Sequence, residues 1–228
     1  EQTYPFDPLR EVVSILQLGD SHVQGGFYPR QLRTRLQYRF GNAGRGLLTP
    51  YRLMKTNQPQ GYEISSPNSW TGTRCTELHP LQEVGATGAA IATPEKTIEL
   101  TIATPGDPFQ RVTVFHHAQA PLLTAGDNAC EIGCPWEDTP TMTRIPLRDT
   151  TERVVLRGDL RDSVYNVPVF HGFMLENGHS GLLYHSVGIN GNTFTALVRQ
   201  GQIIREAAQL CPDLIILSLG TNDSYGRY

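Results

Sequence analysis

Three short stretches of this 228-residue chain combine small and polar residues that suit nucleophilic chemistry. Ser21 lies in Gly-Asp-Ser-His, directly after an apolar run, and Gly191 and Asn222 follow two further apolar runs. A serine hydroxyl can attack a carbonyl carbon, while backbone N–H groups and a side-chain amide stabilise the oxyanion that forms. These residue types together predict an acyl-transfer site.

The three apolar runs are typical of buried strands in a parallel sheet, and each ends in a glycine-containing polar turn. YPRQLRTRLQYRF after the first run predicts a helix, and TFTALVRQGQIIREAAQLC predicts another, with Leu197, Ile204 and Ala208 on one face. Ligands of open α/β sheets bind beyond the carboxyl ends of the strands, so we expect the three turns to meet at one edge.

The middle of the chain has a different pattern. TIELTIATPGDP, QRVTVFHHAQAP and ERVVLRGDL alternate apolar and polar residues between turns, as in an antiparallel sheet with one solvated face. We therefore expect an α/β domain formed by residues 1–60 and 179–228, with an antiparallel β-sandwich, residues 61–178, inserted into it.

Composition excludes several classes of function. With 39% hydrophobic and 18% charged residues, the chain can form a packed core. The net charge is −3 and no basic stripe is present, so nucleic acid is not an expected partner. No apolar run is long enough for a transmembrane helix. The first residues, EQTYPFDP, lack the features of a signal peptide, so we expect that none existed or that it has been removed.

The three motifs resemble, in order, the first three sequence blocks of the SGNH (GDSL-type) serine hydrolases. GDSH at 19–22, VGING at 187–191 and LGTND at 219–223 carry the resemblance. It implies a flavodoxin-like three-layer α/β/α core with Ser21 as the nucleophile. It also implies an oxyanion hole made by the N–H groups of Ser21 and Gly191 and the side chain of Asn222, and no metal or cofactor.

The chain also looks like the periplasmic peptidoglycan O-acetylesterase branch of these hydrolases, in which a β-rich, carbohydrate-binding-like domain separates the first two blocks. In the family, the base is a histidine three residues after an aspartate near the C-terminus. No Asp-x-x-His occurs in these 228 residues. We therefore expect the C-terminal part of the core, with the base, to lie on a further segment of the gene product.

Several candidate residues also have a structural interpretation. Asp20 or Ser21 could cap the first helix, and Asn222 could be a turn residue. Asp223 is expected to fix its loop by accepting backbone hydrogen bonds. His22 adjoins Ser21, but neighbouring side chains on a turn usually diverge, so we expect it to contact substrate or to pack rather than to act as the base.

Other residues are weaker candidates. His185 lies inside a predicted strand, which favours a core histidine. Gly41, Gly44 and Gly46 superficially resemble a phosphate cradle, but their spacing is not that of a P-loop, which favours a structural turn.

The cysteines in ACEIGCPW leave two interpretations open. Cys130 and Cys134 lie in a tight loop and could form a disulfide. A zinc site with His116 and His117 is the alternative, although strand alternation would direct these histidines to opposite faces.

The resemblance thus implies a periplasmic or secreted serine esterase that removes O-acetyl groups from a carbohydrate, with O-acetylated peptidoglycan as one such substrate. Tyr62, Trp70 and Trp136 could stack on sugar rings or form the core of the sandwich. Two alternatives stay open: a glycan-binding protein on a degenerate hydrolase scaffold, and a carbohydrate O-acyltransferase.

Overall fold

A computed structural model describes residues 12–117, 123–128, 141–161 and 167–225. Cys130, Cys134 and Trp136 lie outside these ranges, and so does the disulfide or zinc site predicted from the two cysteines. The described strands are, in chain order, β1 (Val12–Gly19), β2 (Gly46–Leu48), β3 (Glu63–Ser65), β4 (Thr71–Arg74), β5 (Ala89–Ala92), β6 (Thr97–Ala103), β7 (Phe109–His116), β8 (Met142–Thr151), β9 (Arg153–Asp159), β10 (Val169–Glu176), β11 (Gly181–Gly188) and β12 (Leu214–Ser218). The described α-helices are α1 (Ser21–Gln24), α2 (Phe27–Phe40), α3 (Phe194–Arg199) and α4 (Gly201–Gln209).

The three predicted parallel strands form one sheet in the order β11-β1-β12. β1 is central and is buried from Ser14 onward, because strands pair with both of its edges. Its continuous apolar run is therefore the pattern of a strand covered on both faces.

A helix covers one face of this sheet. Leu32 and Leu36 of α2 pack against a buried cluster that contains Ile15 of β1. On the opposite side of β1, Leu16 is buried in the main core, to which Ile203 of α4 also belongs. The segment is thus a mixed α/β unit around a parallel sheet.

The predicted apolar face of the later helix was partly wrong. Leu197 is buried, but Ile204 is 58% exposed and Ala208 is also exposed, whereas Ile203 is buried. The helix is broken at Gln200 into α3 and α4, and the break shifts which residues face inward. An uninterrupted helical repeat therefore assigns the wrong face to α4.

The alternating segments form antiparallel strands as predicted. A six-stranded sheet has the order β4-β5-β10-β7-β8, with β2 also paired to β10, and a three-stranded sheet has the order β3-β6-β9. Buried residues of both sheets join one core, for example Leu100 of β6 and Phe173 of β10. The proposed division at residues 61 and 178 stays a prediction, and β2, which precedes it, already pairs within the antiparallel sheet.

Two polar clusters, one partly buried and one almost fully buried, tie the antiparallel sheets to the α/β segment. In the first, Asp107 in the β6–β7 turn accepts hydrogen bonds from Arg33 of α2 (2.9 Å) and from Arg45 (2.8 Å). Burial alone would raise the pKa of Asp107, but the two guanidinium groups outweigh it and lower the pKa below its usual value.

The second cluster joins β10 to α4. Glu206 of α4 accepts a hydrogen bond from the Ala86 N–H (2.8 Å) and lies 2.5 Å from Nδ1 of His171, and both side chains are almost completely buried. A Cβ at Gly85 would lie 1.9 Å from a Glu206 oxygen. The absence of a side chain at Gly85 thus allows this contact.

We predict that Gly85→Ala lowers the free energy of unfolding by about 1–3 kcal/mol, because the buried pair cannot move away from the added methyl group. Urea unfolding of the purified protein measures this change. The matched control is Gly201→Ala, where the added carbon would approach only the flexible end of Arg205, at 3.3 Å. Equal stabilities for the Gly85 and Gly201 variants would contradict the prediction.

Candidate active site

The carboxyl ends of the three parallel strands are aligned. Gly19, the last residue of β1, pairs with Gly188, the last residue of β11, and with Ser218, the last residue of β12. The turns that follow, residues 20–22, 189–192 and 219–223, therefore emerge side by side at one edge of the sheet. This is the edge at which open α/β sheets bind ligands.

Ser21 is held at this edge by a short helix. Asp20 is the N-cap of α1, and its buried carboxylate accepts the His22 N–H at 2.9 Å. Ser21 is the first residue of α1 and is exposed, and its hydroxyl and N–H have no hydrogen-bond partner among the described residues. Both groups of Ser21 are therefore free to contact a ligand.

Gly19 allows α1 to start this close to the strand. A Cβ on Gly19 would lie 2.2 Å from a methyl carbon of Val23 in α1. Val23 is buried, so it could not move aside without disturbing the core.

Gly191 provides the second free donor. It has a φ of +78°, in the left-handed region that favours glycine, and a Cβ there would meet no atom within 4 Å. A side chain at position 191 is thus disfavoured by the backbone conformation and not by a lack of space. The Gly191 N–H donates to no acceptor within the described part of the chain, and the turn around it is open.

The third turn is bonded to the second. Asn222 is partly buried and donates one side-chain N–H to the carbonyl oxygen of Asn192 at 2.9 Å, which leaves its other N–H available. Asp223 accepts the Phe194 N–H at 3.1 Å. This hydrogen bond fixes the loop, because it joins Asp223 to the start of α3.

Sequence reasoning missed Asn192, which connects all three turns. Its buried side chain donates to the Gly19 carbonyl oxygen at 3.2 Å and accepts the Thr193 N–H at 3.0 Å, while its own carbonyl accepts from Asn222. Its position directly after Gly191 was the only available signal, because Gly19 and Asn222 are distant from it in sequence.

His22 is oriented by its neighbour and not by Ser21. Its Nδ1 lies 2.9 Å from the Asp20 carboxylate, and its side chain is 66% exposed while that of Asp20 is 2% exposed. No histidine among the described residues lies within hydrogen-bonding distance of the Ser21 hydroxyl. The structure therefore gives Ser21 no base from its own described part.

His185 is a core histidine. Its Nδ1 accepts the Leu47 N–H at 3.1 Å, so its Nε2 carries the proton and faces the Ser14 hydroxyl at 3.2 Å. Burial lowers the pKa of His185 to about 4. Both ring nitrogens are occupied within the core, which rules this residue out as the base.

The remaining candidates have structural surroundings. Gly44 and Gly46 pack against backbone, since added Cβ atoms would lie 2.6 Å from the Leu175 oxygen and 2.9 Å from the Tyr184 oxygen. Gly44 precedes β2 and Gly46 begins it, so both have structural roles. In the described ranges, no group of three or more His, Cys, Asp or Glu residues is placed to hold a metal ion.

Of the predicted sugar-stacking aromatics, Trp70 belongs to the interior and Tyr62 is partly buried. Trp70 is buried and makes an edge-to-face contact with Phe170, with ring centroids 6.1 Å apart. Tyr62 donates its hydroxyl proton to the Thr49 oxygen and lies under the Arg45 guanidinium group. The Trp70 ring is therefore unavailable to a sugar, and the Tyr62 ring is already stacked by a guanidinium group.

Comparison with known proteins supports the fold. No protein-family model and no curated protein matches the chain. A solved structure described as "Peptidoglycan O-acetylesterase in action, 5 min" is similar, with a TM-score of 0.72 and 22% identity. The similarity covers 95% of this chain and 58% of that chain. The chain thus spans less than two thirds of that neighbour and shares its fold.

We predict that His185 makes stability depend on pH. Its folded-state pKa of about 4 lies below the ordinary value of 6.5, so the unfolded chain binds a proton that the folded chain does not. The stabilisation is complete above pH 6.5 and is lost as the pH falls toward 4. When the pH falls from about 7.5 to 5.5, the free energy of unfolding should decrease by about 1.3 kcal/mol more in the wild type than in His185→Gln. Urea unfolding at both pH values measures this, and equal losses would contradict it.

Proposed function

We propose that the protein is a serine esterase of the SGNH type that removes O-acetyl groups from a carbohydrate, with O-acetylated peptidoglycan as the substrate. The observation that carries this proposal is the set of free groups at one sheet edge. The Ser21 hydroxyl and the N–H groups of Ser21 and Gly191 have no partners among the described residues, and Asn222 is held beside them with an N–H to spare.

These groups have complementary roles in acyl transfer. The Ser21 oxygen attacks the acetyl carbonyl carbon, and its proton passes to a base. The three N–H donors stabilise the negative oxygen of the tetrahedral intermediate. The C–O bond to the sugar then breaks, and the sugar oxygen takes up the proton. Water attacks the acetyl-serine in the same way, which releases acetate and restores the hydroxyl.

The base is, in this proposal, a histidine oriented by an aspartate on a further segment that packs beside β12. The exposure of this edge strand supports the idea: Leu214, Ile215 and Leu217 are 50%, 54% and 52% exposed. Strands of parallel sheets are normally covered on both faces. We therefore expect a further segment to pack on the exposed apolar residues of β12.

The similarity to a peptidoglycan O-acetylesterase structure supports the substrate class. We accordingly propose that residues 61–178 form an inserted unit of the enzyme that binds the glycan. We also propose that the protein works in the periplasm or outside the cell. No helix in the described ranges is long and apolar enough to cross a membrane.

The test is acetate release from O-acetylated peptidoglycan and from p-nitrophenyl acetate by the protein in its full natural length. We predict that Ser21→Ala lowers turnover of both substrates about a thousandfold or more, because the nucleophile is removed. The matched control is Ser180→Ala, an exposed serine at the opposite end of the sheet, directly before β11. It should retain wild-type turnover.

Other outcomes would redirect the assignment. Negligible release by the wild type, equal to that of Ser21→Ala, would contradict the esterase and favour a glycan-binding protein. Transfer of the acetyl group to an added sugar, in preference to water, would identify an O-acyltransferase.

A further inference from the structure

Gln24 is a buried polar side chain that the catalytic scheme above does not use. It lies at the end of α1, three residues after Ser21, and is 1% exposed. Its Oε1 accepts the backbone N–H of Asn190 at 2.7 Å. A single side chain thus joins the helix that begins with Ser21 to the turn that contains Gly191.

The other end of the Gln24 amide fixes its orientation. Nε2 donates toward the Asn57 carbonyl oxygen (3.0 Å), the Asn57 Oδ1 (2.9 Å) and the Thr56 hydroxyl (3.0 Å). These oxygens require an N–H group, and the Asn190 N–H requires an oxygen, so both ends of the amide are specified. Asn57 is itself held by the Asn190 side chain at 2.7 Å.

This network fixes the residue directly before Gly191. Asn190 is bonded through its backbone N–H to Gln24 and through its side chain to Asn57. The Gly191 N–H belongs to the peptide unit that Asn190 begins, so the direction of that N–H depends on how Asn190 is held. Gly191 has no side chain of its own to hold it, and a Cβ there would meet no atom within 4 Å.

The strand end below the turn shows the same close fit. A Cβ on Gly188 would lie 2.1 Å from the Gln24 backbone nitrogen, so α1 rests directly on the end of β11. Tyr51 donates its hydroxyl proton to the Gly188 oxygen at 2.6 Å. The turn therefore starts from a closely packed strand end, and Gln24 holds its second residue, Asn190.

We propose that Gln24 is a positioning residue that directs the Gly191 N–H toward the oxyanion formed at Ser21. This inference rests on the proposed esterase function. Donors contribute most to catalysis when they are already aimed at the site of the developing charge, so a loosened turn should slow the chemical step more than it weakens substrate binding.

The test compares Gln24→Met with Gln37→Met in the full natural chain. Methionine has a similar length but cannot hold the Asn190 N–H. Gln37 is also buried, and its amide donates to the Gly44 and Leu182 oxygens near the start of β11, away from the site. We predict that Gln24→Met lowers kcat for p-nitrophenyl acetate about 10- to 100-fold with KM changed less than about twofold, while Gln37→Met retains kcat.

Binding of a transition-state analogue separates positioning from a general loss of structure. An aryl boronic acid that adds to Ser21 forms a tetrahedral anion, and its Kd should rise in Gln24→Met by the same factor by which kcat/KM falls. An unchanged kcat in Gln24→Met, or an equal loss in Gln37→Met, would overturn the inference. In either case the activity of the wild type and its loss in Ser21→Ala would leave the esterase assignment intact.

If Gln24→Met does not fold, Asn57→Ala decides the question, because Asn57 is exposed and its removal leaves no cavity. The substitution removes the Asn57 Oδ1, which accepts hydrogen bonds from the side-chain amides of both Gln24 and Asn190. We expect kcat to fall about two- to fivefold, and wild-type kcat in this variant would contradict the role of the network.

Discussion

The site depends on the aligned ends of three parallel strands. Gly19 pairs with both Gly188 and Ser218, so the three strands end in register and their turns begin side by side. A shift of one residue in either pairing would move a turn along the sheet and reverse the faces of its strand. The register is set by burial, since β1 is covered on both faces and its apolar residues fit the core in one alignment.

Backbone contacts then convert this alignment into a site. Gly19 admits α1 close to the strand, Asp20 caps that helix, and Asn192 bonds the Gly19 oxygen while its carbonyl holds Asn222. The Asp20 and Asn192 side chains are buried and hydrogen-bonded, which makes them rigid. Among the described residues, the donors of Ser21 and Gly191 and one side-chain N–H of Asn222 are left unpaired, as preorganised stabilisation of an oxyanion requires.

Much of this arrangement is readable from local sequence. Apolar runs ending in glycine predicted the three parallel strands, and alternation predicted β6, β7 and β9. The buried polar partners were not predictable, because Gln24 meets Asn190 and His171 meets Glu206 across long stretches of chain. The same reason explains the error on α4: a break at Gln200 turned Ile204 outward and left Glu206 buried against His171.

The most direct test of the central claim is detection of the acyl-enzyme. The protein in its full natural length would be mixed with p-nitrophenyl acetate, quenched in acid within the first turnovers, digested and examined by mass spectrometry. We expect one acetyl group on the peptide that contains Ser21, and none on that peptide in Ser21→Ala. Turnover without an acetylated Ser21, or with the acetyl group on another residue, would contradict it.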